Sequence, residues 1–457
     1  MESSSESRAS SRASDTKHVP LLGEDVARAW KDSQRPERPP ELNNALFSVV
    51  QLTNSMIGSG ILSFPYVFSK TGVVLALVLL ATFGGFVYAT SLMVLEVGKE
   101  VDMPVGDLSE IVEAALGLRW RRGLDLCAAL MCFGALMSYF NVIGLLGADL
   151  FAPTRPPFLG INNYPSFMTL CAVFLSPACF LRSYGELTPV SIISIGCITV
   201  TTFAIAITGV VHGRHAIPLW PDSALAPFAL LGNYAYAMTV QFVVHEMYAS
   251  MVSTDRPAVR NVVLSSILVG ATLLGIMGLG GVAAVGSSPV SNIIQSLDET
   301  NPLTKVLSVF TIFHLMMYIP NDFVIMRLFA LRFFDINPLQ IPTVKYIAIT
   351  AVLFATPLLI MASIPRALVV GVFELVIALT GQIPTATCCF LIPTLAFKAT
   401  CLRRASSSST PNRSFLYNPA LSNLFLAACV VVILISPIVT IYVFVHTCLT
   451  SACKDYA

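Results

Sequence analysis

The stretch Asn54-Ser55-Met56-Ile57-Gly58-Ser59-Gly60-Ile61-Leu62-Ser63-Phe64-Pro65-Tyr66 lies inside the first long apolar run, where a membrane helix should carry Leu and Val. It carries instead two glycines one residue apart, several small polar side chains and a proline. In hydrocarbon every backbone N–H and C=O needs a partner, so a break in a spanning helix persists only where it lines a buried cavity. Glycine reaches backbone angles closed to other residues and lets a ligand approach the main chain. Gly58-Ser59-Gly60 therefore reads as an unwound midpoint. A half-helix follows from Ile61 outward, its N-terminal amides aimed at an anionic group. Close helix packing through small residues is the other reading of the same stretch.

Composition places the stretch in a membrane. The chain is 55% hydrophobic and 12% charged, with a mean hydropathy of +0.76; a soluble domain carries about 25% charged residues. Apolar runs long enough to cross a bilayer core of about 30 Å recur along the chain. Eleven spans are expected, at 44–68, 72–97, 124–150, 164–181, 187–211, 226–252, 262–285, 306–331, 346–363, 368–397 and 424–448. Residues 1–43 form a Ser-rich, then Pro/Arg-rich leader that cannot bury a core. Residues 44–450 are expected to form the membrane domain and 451–457 a short tail. A net charge of +1 says nothing about a nucleic-acid partner, and the sequence has no basic domain to hold one, so none is expected. The 11 cysteines lack the spacing of a zinc site or disulfide framework, apart from Cys448 and Cys453, which flank the last span's end and could pair on an oxidising face.

Orientation follows from the basic residues, which favour the cytosolic face. With the leader cytosolic, all 27 Lys and Arg lie on that side except Lys70, Arg155, Arg214, Lys305, Arg366 and Lys454. The N-terminus is then cytosolic and the C-terminus extracytosolic, and the sequon at Asn412 falls on the cytosolic side. The membrane itself, plasma or vacuolar/endolysosomal, is not marked.

The sixth span is also irregular, with Gly232-Asn233-Tyr234-Ala235-Tyr236-Ala237-Met238-Thr239-Val240-Gln241 at mid-depth. Spans one and six lie five helices apart, the offset of a five-plus-five inverted repeat whose two first helices break at a shared site. Tyr234 and Tyr236 also read as interfacial aromatics.

Asn54 through Phe68, followed by Gly72, resembles the first-span signature of the amino acid/auxin permease family, N-x-x-x-G-x-G-I-L-x-x-P-Y-A-F. That family includes sodium-coupled neutral and vacuolar amino acid transporters. Thr380-Gly381, Phe390-Leu391-Ile392-Pro393 and Met247-Tyr248-Ala249-Ser250-Met251 resemble its tenth and sixth spans. The resemblance implies an all-α polytopic LeuT-type fold, a 5+5 inverted repeat with an eleventh helix. It also implies secondary transport of small, neutral amino acids, with the bilayer and the amino acid as the partners and no cofactor. The substrate-binding candidates are Asn54, Ile57, Gly58, Ser59, Gly60, Ala237, Met238 and Gln241. A zwitterion needs amides for its carboxylate, here Gly58 to Gly60, and carbonyls for its ammonium, here Ala237 to Gln241.

Two departures matter. The Cys-His pair found in many members is Val240-Gln241 here, and the eighth-span hydroxyl that helps hold sodium falls on Phe313, with Thr311 and His314 nearby. A hard cation needs its full set of oxygens. A proton is therefore the favoured coupling ion, with sodium near Asn54 and Thr311 as the alternative. Intramembrane ionisable groups are functional candidates, so Thr311, His314, Glu374 and His245 are expected to couple or gate. His314, His245, Glu374, Asn141 and Tyr139 each also read as ordinary interhelical or surface polar groups. The sequence shows no paired Asp, Ser/His pair or metal cluster inside spans, so it does not read as an enzyme. A sensor of the same fold, signalling through its leader, is the competing function.

Overall fold

The computed structural model describes residues 44–103, 107–151, 163–180, 188–213, 216–251, 256–286, 289–337, 340–406 and 418–454. The expected leader, the loop at 153–157 and the sequon at Asn412 lie outside these. So do the side chains of Cys448 and Cys453.

All the regular elements among the described residues are helical. Span 1 is Ala45–Met56, a 3₁₀ turn Ser59–Ser63 and Phe64–Thr71. Span 2 is Val73–Glu100, followed by a short helix Leu108–Leu116. Spans 3, 4 and 5 are Leu118–Phe151, Tyr164–Cys179 and Thr188–His212. Span 6 is pieced from Ala226–Ala229, Leu231–Ala237 and Val244–Ser250. Spans 7, 8 and 9 are Arg256–Val285, Pro302–Phe333 and Thr343–Ser363. Span 10 runs Arg366–Thr380, a π-helical Gly381–Leu391 and Ile392–Ser406. Span 11 is Pro419–Val430, Val431–Ile435 and Ser436–Lys454.

Eight of these helices are long and apolar enough to cross a membrane, and the two halves of span 1, bent by 59°, make a ninth. Span 4 is shorter and span 6 is in pieces. The eleven expected runs thus each meet a helical segment, with shifted ends. Span 3 begins at Leu118 rather than at 124, because Arg121 and Arg122 bind Asp335 in the connection after span 8 and keep the helix wound. Large apolar side chains such as Val210 at 83% exposure face outward, as a lipid-facing surface requires.

Small residues set how closely the spans approach. A Cβ on Gly381 would stand 1.8 Å from the Gly232 carbonyl oxygen, and one on Gly232 would stand 2.0 Å from that of Ala378, so spans 6 and 10 touch backbone to backbone. Beside this contact Gln382 donates to the Ala229 carbonyl at 2.8 Å, to Ser436 Oγ at 2.9 Å and to Thr440 Oγ1 at 2.7 Å. The start of span 6 is thereby tied to spans 10 and 11. Pro384 lies within the π-helical turns; proline has no amide to donate and its ring crowds the preceding turn. At the far end of span 1, Gly72 has φ 72°, and the Trp220 backbone lies where its Cβ would be. Only glycine fits there.

At the end of the bundle where span 1 begins, a network holds helix Leu108–Leu116 in place. Asp107 caps it through the Ser109 amide at 2.8 Å and accepts from Arg332, whose side chain is only 7% exposed. Ser109 Oγ donates to the buried Asp125 at 2.6 Å. Burial pushes the Asp107 carboxyl up, but the Arg332 charge and hydrogen bond, with the Ser109 amide, outweigh it and hold the group below its ordinary value.

A carboxylate held low contributes stability above its unfolded pKa of about 3.9 and loses it as pH falls through the folded value. Asp107→Ala removes the carboxylate bonded to a buried guanidinium and is expected to cost about 3 kcal/mol, the lower end for a broken buried pair. Melting of the detergent-solubilised protein checks this. The deficit should be constant between about pH 8 and pH 5 and should close below about pH 4. Gly381→Ala is expected to abolish monodisperse folded protein in size-exclusion chromatography. Gly85→Ala, where a Cβ meets nothing within 4 Å, should behave as wild type.

Candidate functional site

Both irregular spans are broken, and at the same depth. The first helix stops at Met56, and a new start at Ser59 has no side-chain cap. Span 6 stops at Ala237, and its second piece starts at Val244. The unwound ends meet: Ser59 Oγ lies 3.2 Å from the Tyr236 hydroxyl, and a Cβ on Gly60 would stand 2.9 Å from Tyr236 Cδ1 and 3.2 Å from Ala237 Cβ. Span 3 closes the third side. Ser138 Oγ is 2.6 Å from Ser59 Oγ and 3.3 Å from the Tyr236 hydroxyl, and the Tyr139 hydroxyl stands 3.0 Å from where a Gly58 Cβ would be.

A helix start leaves its first amides without intrahelical partners, and a helix end leaves its last carbonyls so. Here the Gly58 amide is already spent on the Met56 carbonyl at 3.3 Å. The amides open to an anion therefore begin at Ser59, one residue later than expected. The Asn54 carbonyl is taken by the Tyr318 hydroxyl, which also lies 2.9 Å from Asn54 Oδ1.

The other sequence candidates scatter. Ile57, fully buried, packs its backbone against the His314 ring. Met238 is buried at the end of the first half of span 6. Gln241 turns away from Gly58: its Nε2 donates to Thr90 Oγ1 on span 2 at 2.9 Å, and its Oε1 accepts from the Val240 amide at 3.0 Å. Its side chain satisfies the unwound strand rather than facing the shared pocket. His314 is clamped by Ser194, with Nδ1 2.8 Å from Oγ, and its ring lies tilted against Tyr318, centroids 4.8 Å apart. The Thr311 hydroxyl is fully buried without a hydrogen-bond partner. Glu374 is not a snorkelling surface group, since it accepts from Asn233 at 2.9 Å while Asn233 also reaches Ser63 at 3.2 Å. That joins spans 10, 6 and 1 above the break. His245 is buried against Gly98 on span 2, away from the break. Asn141 donates to the Val369 carbonyl at 2.9 Å as an interhelical tie. Tyr234 and Tyr236 are interior rather than interfacial; Tyr234 is fully buried, with its hydroxyl on the Ala76 carbonyl at 3.3 Å.

The sequence reading missed Asp322. Tyr139 donates to its Oδ2 at 2.7 Å, so the tyrosine over Gly58 is held by a carboxylate from span 8. The signal was there: Thr311, His314, Tyr318 and Asp322 are spaced by three, four and four, one polar stripe on an apolar helix. Among the described residues, no group of three or more His, Cys, Asp or Glu is placed to hold a metal ion.

Comparisons with known proteins agree with this architecture. The fold resembles that of a solved structure titled "Inward facing conformation of Mhp1", with a TM-score of 0.54 over 89% of this chain and 92% of the other, at 12% identity. This supports a LeuT-type fold. Vacuolar amino acid transporter 6 of Saccharomyces cerevisiae is 25% identical over 264 residues, 54% of this chain and 57% of that protein. Vacuolar amino acid transporter 5 of Schizosaccharomyces pombe is 26% identical over 279 residues, 56% of this chain and 61% of that protein. The chain thus spans about six-tenths of the length of these curated relatives. A family profile described as "Transmembrane amino acid transporter protein" matches residues 43–443. With that match over nearly the whole membrane domain, the chain belongs to the transmembrane amino acid transporter family.

Proposed function

We propose that the chain carries amino acids across a membrane by alternating access, holding them where spans 1 and 6 are unwound. The observation that carries this is the meeting of the two breaks, with Ser59 of one bonded to Tyr236 of the other. The uncapped start at Ser59 offers amides to a carboxylate, and the end of Leu231–Ala237, where Thr239 Oγ1 already donates to the Ala235 carbonyl at 3.0 Å, leaves the Ala237 carbonyl for an ammonium. Tyr139 and Tyr236 stand directly over Gly58 and Gly60, which favours small, neutral side chains.

A proton is the favoured coupling ion. The carbonyl and carboxamide oxygens of Asn54 are engaged by Tyr318, and sodium would have to displace that hydroxyl before using them with Thr311. The names of the relatives favour a vacuolar membrane, and the basic residues favour a cytosolic N-terminus. A sensor that binds without turnover is the competing function.

Uptake of a labelled amino-acid panel into proteoliposomes, with imposed proton or sodium gradients, tests the assignment. Saturable, proton-stimulated uptake is expected; binding without flux would favour the sensor, and sodium dependence would overturn the ion choice. Gly58→Val, which drives a side chain into Tyr139, is expected to abolish uptake while leaving membrane insertion intact.

A further inference from the structure

Among the described residues, Asp322 has no cation beside it. It is half-buried in span 8, eleven residues before that helix ends at Phe333, and it makes no ion pair with any described residue. Its neighbours are neutral: Tyr139 at 2.7 Å and Cys132 from span 3, Tyr236 from span 6, and Asn321 beside it at 3.4 Å. The nearest charged groups along span 8 are engaged elsewhere. Arg327 donates to the Cys179 carbonyl at 2.7 Å and stacks on Tyr346, toward spans 4 and 9, and His314 is held by Ser194 on span 5. Glu374 of span 10 bonds Asn233. An ionised carboxylate enclosed at membrane depth without a counter-charge is costly, so its charge is neutralised by something that comes and goes.

The geometry says what that exchange would move. Tyr139 donates its only proton to Asp322 while its ring and hydroxyl cover Gly58. We propose that Asp322 carries the coupling proton and that Tyr139 passes its protonation state to the broken segment at Gly58. This rests on the transport reading above and names the group within it. The carboxylate takes one proton from one aqueous side and becomes a neutral acid with a new O–H bond. Tyr139 then loses its anionic acceptor and is free to swing off Gly58, opening the peptide groups to substrate. Release of the proton to the other side restores the carboxylate, the Tyr139 bond and the covered site. One proton crosses per cycle and no electrons are exchanged.

The test uses the full chain in proteoliposomes with two readouts, proton-driven accumulation and gradient-free counterflow of the same amino acid. Asp322→Asn is expected to lose accumulation and keep counterflow, and Asp322→Glu to recover part of the accumulation. Tyr139→Phe should displace the pH profile of uptake, which a merely structural tyrosine would not do. Normal accumulation by Asp322→Asn overturns the proposal. So does a wild type that exchanges amino acid without responding to a proton gradient, or a variant that loses only cationic amino acids, which would make Asp322 a selectivity group. A wild type that exchanges no amino acid overturns instead the transport reading.

Discussion

A peptide group inside hydrocarbon has no water to bond, and the structure depends on how this chain meets that demand where its helices stop. At the end of the first half of span 1 the Asn54 carbonyl is satisfied by Tyr318 from span 8, and Met56 by the amide of Gly58. In span 6 the Val240 amide is satisfied by the side chain of Gln241, itself anchored to Thr90. The helix start at Ser59 has no such side-chain provision. The second half of span 6 likewise starts at Val244 without a side-chain cap, so both breaks leave helix-start amides at the centre of the bundle.

The surroundings keep the break in register. Gly381 and Gly232 let span 10 lie against the first half of span 6, and Gln382 clamps the end of that half to span 11. Asn233 and Glu374 then join the same half to Ser63, just beyond the break in span 1. At the opposite end, Asp107, Arg332, Ser109 and Asp125 fasten a short helix to spans 3 and 8. The middle, held by hydroxyl contacts among Ser59, Ser138 and Tyr236, is the part with least to lose on rearranging.

Much of this was legible in the chain. Glycines and serines in an apolar run announced the break at Gly58, and the five-helix offset pointed to its partner, because backbone economy in a membrane leaves few other uses for such residues. What one sequence could not show was direction. Gln241 sits at the right depth, yet turns toward Thr90, since the unwound amide beside it was the nearer unmet need. Asp322 lies two residues after Pro320, beyond the part of span 8 that holds Thr311, Phe313 and His314. Its partner Tyr139 is 183 residues away, a pairing no local pattern encodes.

The central claim is that bare peptide groups in spans 1 and 6 grip a charged solute. Hydrogen exchange of the purified protein, with and without an amino acid it transports, tests this most directly. Peptides covering 54–66 and 234–244 should exchange faster than those of unbroken span 9, and should slow when the amino acid is added. Exchange in both segments as slow as in span 9, or unchanged by every amino acid, would contradict the account.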